Sequence, residues 1–144
     1  MPITVTAARG VLTDSGEREI LPLLTAALIE ASGLTGNAFF TSIVGGTVHI
    51  LEPENVYAGG VNRPLVLVEL KLPNVGLPTL EARAAFIESA TEIVGKLTVA
   101  AHERRDTWVN ILNALDGGWG LGGQAYTGED LIAGATTSAV PAAA

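Results

Sequence analysis

The hydrophobic pattern of the first sixty residues predicts a strand, a helix and a second strand. Residues 2–7, PITVTA, form a β-branched run that is followed by a turn signal, which is typical of a short strand. Apolar residues then recur at helical spacing from about 13 to 32, and Gly33 provides the stop. The segment 39–51 is again rich in β-forming residues, and we expect its strand at 40–44.

The same pattern returns 62 residues later. Residues 64–70, PLVLVEL, again place a proline ahead of an apolar strand, a second amphipathic helix opens at Thr79, and residues 108–112 close the unit as a strand. Tandem β-α-β units at 2–62 and 64–126 favour an α+β fold. Its core is a four-stranded mixed sheet with two helices on one face.

Two helices on one face leave the other face of the sheet without cover. In a chain of this size only another subunit can supply that cover, so we expect an oligomer. Residues 117–126 are too glycine-rich for a core strand and suit a ribbon that lies on a neighbouring subunit. We expect one domain over residues 1–131 and a flexible Ala-rich tail over 132–144.

Composition narrows the range of partners and cofactors. Hydrophobic residues make up 48% and charged residues 16%, which favours a folded domain, and the net charge of -7 opposes nucleic-acid binding. The chain has no cysteine, and His49 and His102 show no metal-ligand spacing, so we expect neither a metal nor another cofactor. Without a signal peptide or a long apolar run, we expect a cytoplasmic protein that does not bind membranes.

Pro2 is the candidate for chemistry, because it directly follows the initiator Met1. A small second residue permits removal of the methionine, which would leave a secondary amine at the head of the first strand. An α-amino group has a pKa of about 7.7–8.0, and burial lowers that value, so the amine would be neutral near pH 7. Once Met1 is removed, Pro2 would therefore be a built-in base or nucleophile.

Several segments together carry a resemblance to a known family. They are the strand that starts at Pro2, the duplicated unit, GLTG at 33–36, EPENVYAGGV at 52–61, TWV at 107–109 and WGLGGQAYTGEDL at 119–131. In these features the chain resembles the tautomerase superfamily, in particular the long-chain dehalogenase, malonate semialdehyde decarboxylase and macrophage migration inhibitory factor groups. The resemblance implies a homotrimer with sites at subunit boundaries, in which Pro2 acts as a base, or as an acid in hydration chemistry.

The family's other functional residues are mostly replaced. Where dehalogenase-like and decarboxylase-like members carry two arginines for the substrate carboxylate, this chain has Lys71 and Leu72, without arginine. The dehalogenase histidine before GLTG corresponds to Ala31, the tyrosine after the Trp-Val pair to Asn110, and the water-activating glutamate to a position near Gly118. The resemblance therefore implies the family more strongly than it implies dehalogenation.

Seven other residues are candidates for catalysis or substrate binding beside Pro2. Lys71 can hold a carboxylate as a point charge, and Asn110 can donate a hydrogen bond to an enolate oxygen, although a solvated lysine and a satisfied strand amide are the simpler interpretations. The candidate substrate-binding residues, each of which also has a purely structural interpretation, are Arg9, Arg63, Tyr57, Leu72 and Trp119.

Three functions stay open. The first is a cofactor-independent enzyme that moves a proton on a small keto or enol acid, with Pro2 as the base and an apolar substrate side near Leu72 and Val75. The second is a trimeric binding or scaffold protein that keeps the fold without the chemistry. The third is a decarboxylase or a hydratase/dehalogenase of a three-carbon acid, which uses Lys71 or Arg63 as its carboxylate grip.

Overall fold

The computed structural model describes residues 1–138 of the chain. Its strands are β1 (Pro2–Ala8), β2 (Gly45–Leu51), β3 (Tyr57–Ala58), β4 (Val61–Asn62), β5 (Val66–Pro73), β6 (Thr107–Ala114), β7 (Trp119–Leu121) and β8 (Gln124–Tyr126). Its helices are α1 (Asp14–Ala31), α2 (Ala38–Ser42), α3 (Leu80–Leu97) and α4 (Gly128–Ser138). Among these described helices, none is both long and apolar enough to span a bilayer.

Four strands form one mixed sheet in the order β2-β1-β5-β6. The two outer pairs, β1 with β2 and β5 with β6, are parallel, and the central pair β1 with β5 is antiparallel. Each parallel pair is connected through one long helix, as a crossover between parallel strands requires. The predicted fold class is confirmed.

The long helices α1 and α3 have 18 residues each and begin in the same way. Thr13 caps α1 by accepting a hydrogen bond from the backbone N–H of Gly16, and Thr79 caps α3 by accepting one from Ala82. The two helices pack against each other and against the alternating buried residues of the central strands. Their largest fully buried side chains are Ile20, Leu24, Leu28, Phe86 and Val94.

The opposite face of the sheet carries no helix. Leu67 and Glu69 of β5 are half-buried on this face and alternate with buried neighbours. Three large apolar side chains on the same face, Leu51, Trp108 and Leu112, are between 38% and 47% exposed. This apolar face lacks cover within the described chain, in agreement with the predicted arrangement.

Two segments differ from the sequence prediction. The prediction of a strand at 40–44 is wrong: α2 occupies Ala38–Ser42, because the Asn37 side chain caps it by accepting from the Phe40 N–H at 2.8 Å, and the strand begins at Gly45. Helix α4 covers Gly128–Ser138, so residues 132–138 of the expected flexible tail are helical. Residues 139–144 of the expected tail lie outside the described residues.

The glycine-rich segment forms a two-stranded ribbon. Strands β7 and β8 pair antiparallel, with Trp119 opposite Tyr126. Gly122 and Gly123 connect them with positive φ angles of 58° and 86°, a combination that suits a tight hairpin turn and that other residues rarely adopt.

Candidate functional site

The start of the chain is buried at the head of β1. Met1 is only 2% exposed and belongs to the hydrophobic core, and its carbonyl accepts a hydrogen bond from the Gly45 N–H at 3.1 Å. Its α-amino group donates to the carbonyl of Ile43. The first nitrogen of the chain is therefore held between β1 and the segment that leads into β2.

Burial changes the chemistry of this amine. Removal from water disfavours its charged form and lowers the pKa of the Met1 α-amino group from 8.0 to about 5. An amine with this pKa is neutral at pH 7 and can accept a proton. The environment at the head of β1 is thus the kind that an amino-terminal base requires.

The amine lies beside a cavity of about 400 Å³, which we call the main cavity because Met1 and parts of three helices line it. Its walls come from the end of α1, from α2, from the turn after β5 and from α4. No charged side chain lines it. The lining residues are Met1, Ser32, Leu34, Asn37, Phe40, Ile43, Pro73, Val75, Gly76, Leu131, Ile132, Ala135 and Thr136.

Two hydrogen-bonded motifs hold α4 over this cavity. Thr127 and Asp130 cap each other reciprocally: the Thr127 N–H donates to the Asp130 carboxylate at 2.9 Å, and the Asp130 N–H donates to the Thr127 hydroxyl at 3.2 Å. Across the cavity, the Asn37 side-chain amide donates to the Ala135 carbonyl at 2.6 Å. Helices α2 and α4 are therefore tied together, although 98 residues separate these two partners.

Removing the Thr127 hydroxyl should loosen this wall. Thr127→Val is expected to cost about 1 kcal/mol, the usual value of a helix cap, and to speed hydrogen exchange of the α4 amides. Thr137→Val is the matched control, because it removes an exposed hydroxyl from the same helix that bonds only to the Ala133 carbonyl. Equal exchange in the two variants would show that the cap does not hold α4.

A second, shallower cavity of about 320 Å³ lies on the other side of Met1. Pro2, Gly45 and Trp119 line it, and Met1 lines both cavities. The indole Nε1 of Trp119 is buried and has no hydrogen-bond partner among the described residues. Met1 thus separates the main cavity from the cavity that Pro2 lines.

Of the predicted site residues, Pro2 and Trp119 share a cavity, and Lys71 lies nearby. Because Ile3 pairs with Leu70 in the antiparallel register, Lys71 is opposite Pro2 on the neighbouring strand, where it is exposed and lines neither cavity. Leu72, expected to contact substrate, is fully buried in the core and lines neither cavity.

The other candidates lie elsewhere. Asn110 is exposed on β6, two strands away from Pro2 in the sheet order. Arg9 follows the far end of β1, about 23 Å from Pro2 at about 3.3 Å per residue, and pairs with Glu52 at 2.8 Å. Arg63 forms an ion pair with Asp106, and Tyr57 is 56% exposed on β3. Within this subunit, none of these four residues therefore lies beside the amine of Met1.

Sequence reasoning missed most of the cavity wall, namely α2, α4 and Ser32. Local signals were present: Asn37 stands three residues before Phe40, and Thr127 stands three residues before Asp130, which are cap spacings. They identify the two short helices but not the space between them.

A cluster of polar side chains lies near the start of β5. The His102 Nε2 is 2.8 Å from the Thr107 hydroxyl, and burial lowers the pKa of His102, although nearby Asp106 acts in the opposite direction. Asp106 is 7% exposed and pairs with Arg63, which ties the loop before β5 to the start of β6. Within residues 1–138, no three His, Asp or Glu side chains are grouped to bind a metal ion.

The lowered amine pKa has a consequence for stability in the chain that retains Met1. Because the folded state holds this group neutral down to about pH 5 and the unfolded state protonates it below about pH 8, the unfolded state binds more protons between these values. The free energy of unfolding should therefore decrease as the pH falls from 8 to 5. Urea titrations of the Met1-bearing chain in a His102→Gln background, which removes the other lowered basic group, test this; a flat profile would contradict it.

Comparison with known proteins gives a clear structural answer. No protein-family profile matches the chain, and no curated protein sequence matches it. Solved structures do match. Pt0534 inactivated by 2-oxo-3-pentynoate has a TM-score of 0.72 at 16% identity, covering 91% of this chain and 98% of its own.

Two further matches extend the comparison. A wild-type fused 4-OT symmetric trimer has a TM-score of 0.73 at 18% identity, covering 93% of this chain and 99% of its own. FG41 malonate semialdehyde decarboxylase inhibited by 3-bromopropiolate has 0.65 at 15% identity, covering 85% and 89%. These identities establish the fold alone, and the resemblance seen in the sequence is confirmed at that level: this chain has the fold of the tautomerase superfamily.

Proposed function

We propose that this chain is a cofactor-independent enzyme that moves a proton on a small enolisable carbonyl compound. After removal of Met1, the secondary amine of Pro2 is the general base. The observation that carries this proposal is the burial of the chain's first amine beside a cavity, with a pKa lowered to about 5 for Met1.

In the proposed chemistry, the amine of Pro2 acts in its neutral form. Pro2 takes a proton from the carbon next to the carbonyl, the electron pair of the C–H bond moves into the enolate, and the proline ammonium returns the proton to oxygen or to another carbon. No redox step or co-reactant is needed. Without Met1, the two cavities of about 400 and 320 Å³ join at the Pro2 nitrogen, which gives the substrate access to the base.

The working assembly in this proposal is a homotrimer. The helix-free face exposes Leu51, Trp108 and Leu112, and a fused 4-OT of the same fold is a trimer. Covering this face with two further copies would remove these side chains from water. The ribbon of β7 and β8 carries Trp119 beside Pro2 and is placed to take part in such contacts.

A trimeric binding protein without catalysis is the second candidate. It is favoured by the Met1 side chain, which is packed into the core, and by Arg9 and Arg63, which pair with acids rather than face the cavity. The Arg63 pairing also weakens the case for a decarboxylase or hydratase with Arg63 as carboxylate grip. In such an enzyme Lys71 would have to supply that grip.

Intact-mass spectrometry and two proton-transfer assays distinguish these functions. We expect the purified chain to lack Met1 and to accelerate ketonisation of phenylenolpyruvate or solvent deuterium exchange at the benzylic carbon of phenylacetone. Activity in either assay that decreases in Pro2→Ala supports the enzyme. Retention of Met1, or the absence of activity in each of the two assays, supports the trimeric binding protein without catalysis.

A further inference from the structure

The main cavity has an apolar, uncharged lining, and Ser32 is the lining residue whose side chain has a buried polar atom without a hydrogen-bond partner among the described residues. We propose that this cavity binds an uncharged carbonyl compound with an apolar body, whose oxygen accepts a hydrogen bond from the Ser32 hydroxyl. The claim that this compound is the substrate rests on the proposed function. The claim that the cavity binds it does not.

The absence of charge in the lining argues against an anionic ligand. None of the thirteen lining residues has an ionisable side chain. A carboxylate that leaves water for such a cavity loses its hydration without gaining a cation, which is strongly unfavourable. The net charge of -7 adds a repulsion over longer range. Lys71, which is opposite Pro2 on the neighbouring strand, lies on the exposed sheet face outside the cavity.

Ser32 is the free polar group of the lining. Asn37 uses its amide on the Ala135 carbonyl at 2.6 Å and its carbonyl on the Phe40 N–H at 2.8 Å. The Thr136 hydroxyl donates to the Ile132 carbonyl at 2.8 Å. By contrast, the Ser32 Oγ is buried and has no partner among the described residues.

Such an orphan hydroxyl calls for a partner. Ser32 ends α1, where its backbone N–H bonds to the Leu28 carbonyl at 2.9 Å, whereas its side chain makes no hydrogen bond among the described residues. A ligand oxygen in the cavity would satisfy it. The same contact would stabilise the negative charge that develops on an enolate oxygen during proton transfer.

The volume sets the size of the ligand. A cavity of about 400 Å³ is in the range of small-molecule sites, which run from about 300 to 1,000 Å³. Phe40, Ile43, Leu131 and Ile132 supply an apolar surface for a ring or a branched chain. Aryl and branched alkyl ketones or aldehydes with one oxygen fit these requirements.

A matched pair of ligands tests the charge preference directly. Phenylacetone and phenylpyruvate are both benzyl ketones. The second substituent on the carbonyl carbon is a methyl group in phenylacetone and a carboxylate in phenylpyruvate. Isothermal titration calorimetry with the purified wild-type chain should show phenylacetone binding at least about tenfold more tightly. Tighter binding of phenylpyruvate, or binding of neither compound, would overturn the proposal.

Two pairs of variants locate the binding. Ser32→Ala should weaken phenylacetone binding about 3- to 10-fold, while Ser15→Ala, which removes an exposed hydroxyl at the other end of α1, should not. Val75→Arg places a cation in the lining and should shift the preference about tenfold toward phenylpyruvate, with Val75→Met as the uncharged control. Equal affinities for Ser32→Ala and Ser15→Ala, or an unchanged preference in Val75→Arg, would contradict the assignment.

Binding and catalysis are read out separately. Deuterium exchange at the benzylic carbon of phenylacetone, followed by nuclear magnetic resonance, reports proton transfer on the same ligand. Preferential phenylacetone binding that depends on Ser32, with neither exchange of phenylacetone nor ketonisation of phenylenolpyruvate, would support the inference and refute the proposed catalytic function. Exchange of phenylpyruvate with no affinity for phenylacetone would do the reverse.

Discussion

Pro2→Leu is expected to lower kcat/KM for proton transfer by about 10²–10⁴-fold, the usual contribution of a general base. A bulky second residue blocks removal of Met1, so the nitrogen of residue 2 becomes an amide, which is not a base. Met1 then keeps its place between the two cavities, where its side chain is 2% exposed. The measurement is the steady-state rate with the better of the two assay substrates, together with the intact mass of each protein.

Pro2→Ala is the matched control for this prediction. Alanine is small enough for Met1 to be removed, and it leaves a primary amine at the same place, so part of the activity should remain. The expected order of rates is wild type, then Pro2→Ala, then Pro2→Leu. Equal rates in wild type and Pro2→Leu would show that the amine of Pro2 takes no part in the reaction.

Leu67→Glu is expected to dissociate the proposed homotrimer into monomers of 14.8 kDa. Leu67 is half-buried on the helix-free face, between Thr6 of β1 and Trp108 of β6. A glutamate there would enter each of the covered interfaces as an unpaired charge, which costs several kcal/mol per ion. Light scattering coupled to size-exclusion chromatography measures the mass in solution.

Leu23→Glu provides the control for a surface charge in general. Leu23 is 43% exposed on α1, on the other side of the molecule, and a glutamate there should leave the assembly at three times the chain mass. A wild-type chain that is monomeric would refute the trimer. A trimer that survives in Leu67→Glu would show that the helix-free face is not the interface.

The main sheet and the long helices follow from the sequence because their signals are local and repeated. Strands β1 and β5 alternate or run apolar as buried strands do, and α1 and α3 each start at a threonine cap. The buried stripe of α3 was less well defined. Leu80 and Ile87 are 70% and 39% exposed, while Phe86 is fully buried, because the helix contains more apolar residues than one face can hold.

The short helices could not be read from periodicity. Helix α2 has five residues, too few for a helical repeat to be distinguished from a strand, and its aromatic residues favour β structure by propensity. The Asn37 cap decides the outcome locally. Helix α4 follows a glycine-rich ribbon and consists largely of small residues, so that its packing through Leu131, which is 5% exposed, gives little periodic signal.

The candidate site, too, could be predicted from the sequence only in part. Pro2 stood out from its position in the sequence, whereas the cavity depends on four segments that meet only in the folded chain, from Met1 to Thr136. Spacing along the chain could not tell that Arg9 pairs with Glu52, or that Arg63 pairs with Asp106, because the partners are 43 residues apart in both cases. It also could not identify Ser32, whose proposed role depends on a buried hydroxyl that has no hydrogen-bond partner among the described residues.

The most direct test of the account is chemical labelling of the amine at pH 6 with 4-phenyl-3-butyn-2-one, a neutral acetylenic ketone. The nitrogen adds to the alkyne carbon, a proton passes to the adjacent carbon, and the adduct keeps the full mass of the reagent. Burial lowers the pKa of the Met1 α-amino group to about 5, so an amine held at the head of β1 is neutral at this pH and can add to the alkyne. We predict one adduct, on the nitrogen of Pro2 in a chain that lacks Met1. Retained Met1, or labelling spread over Lys71 and Lys96 without preference for Pro2, would contradict the account.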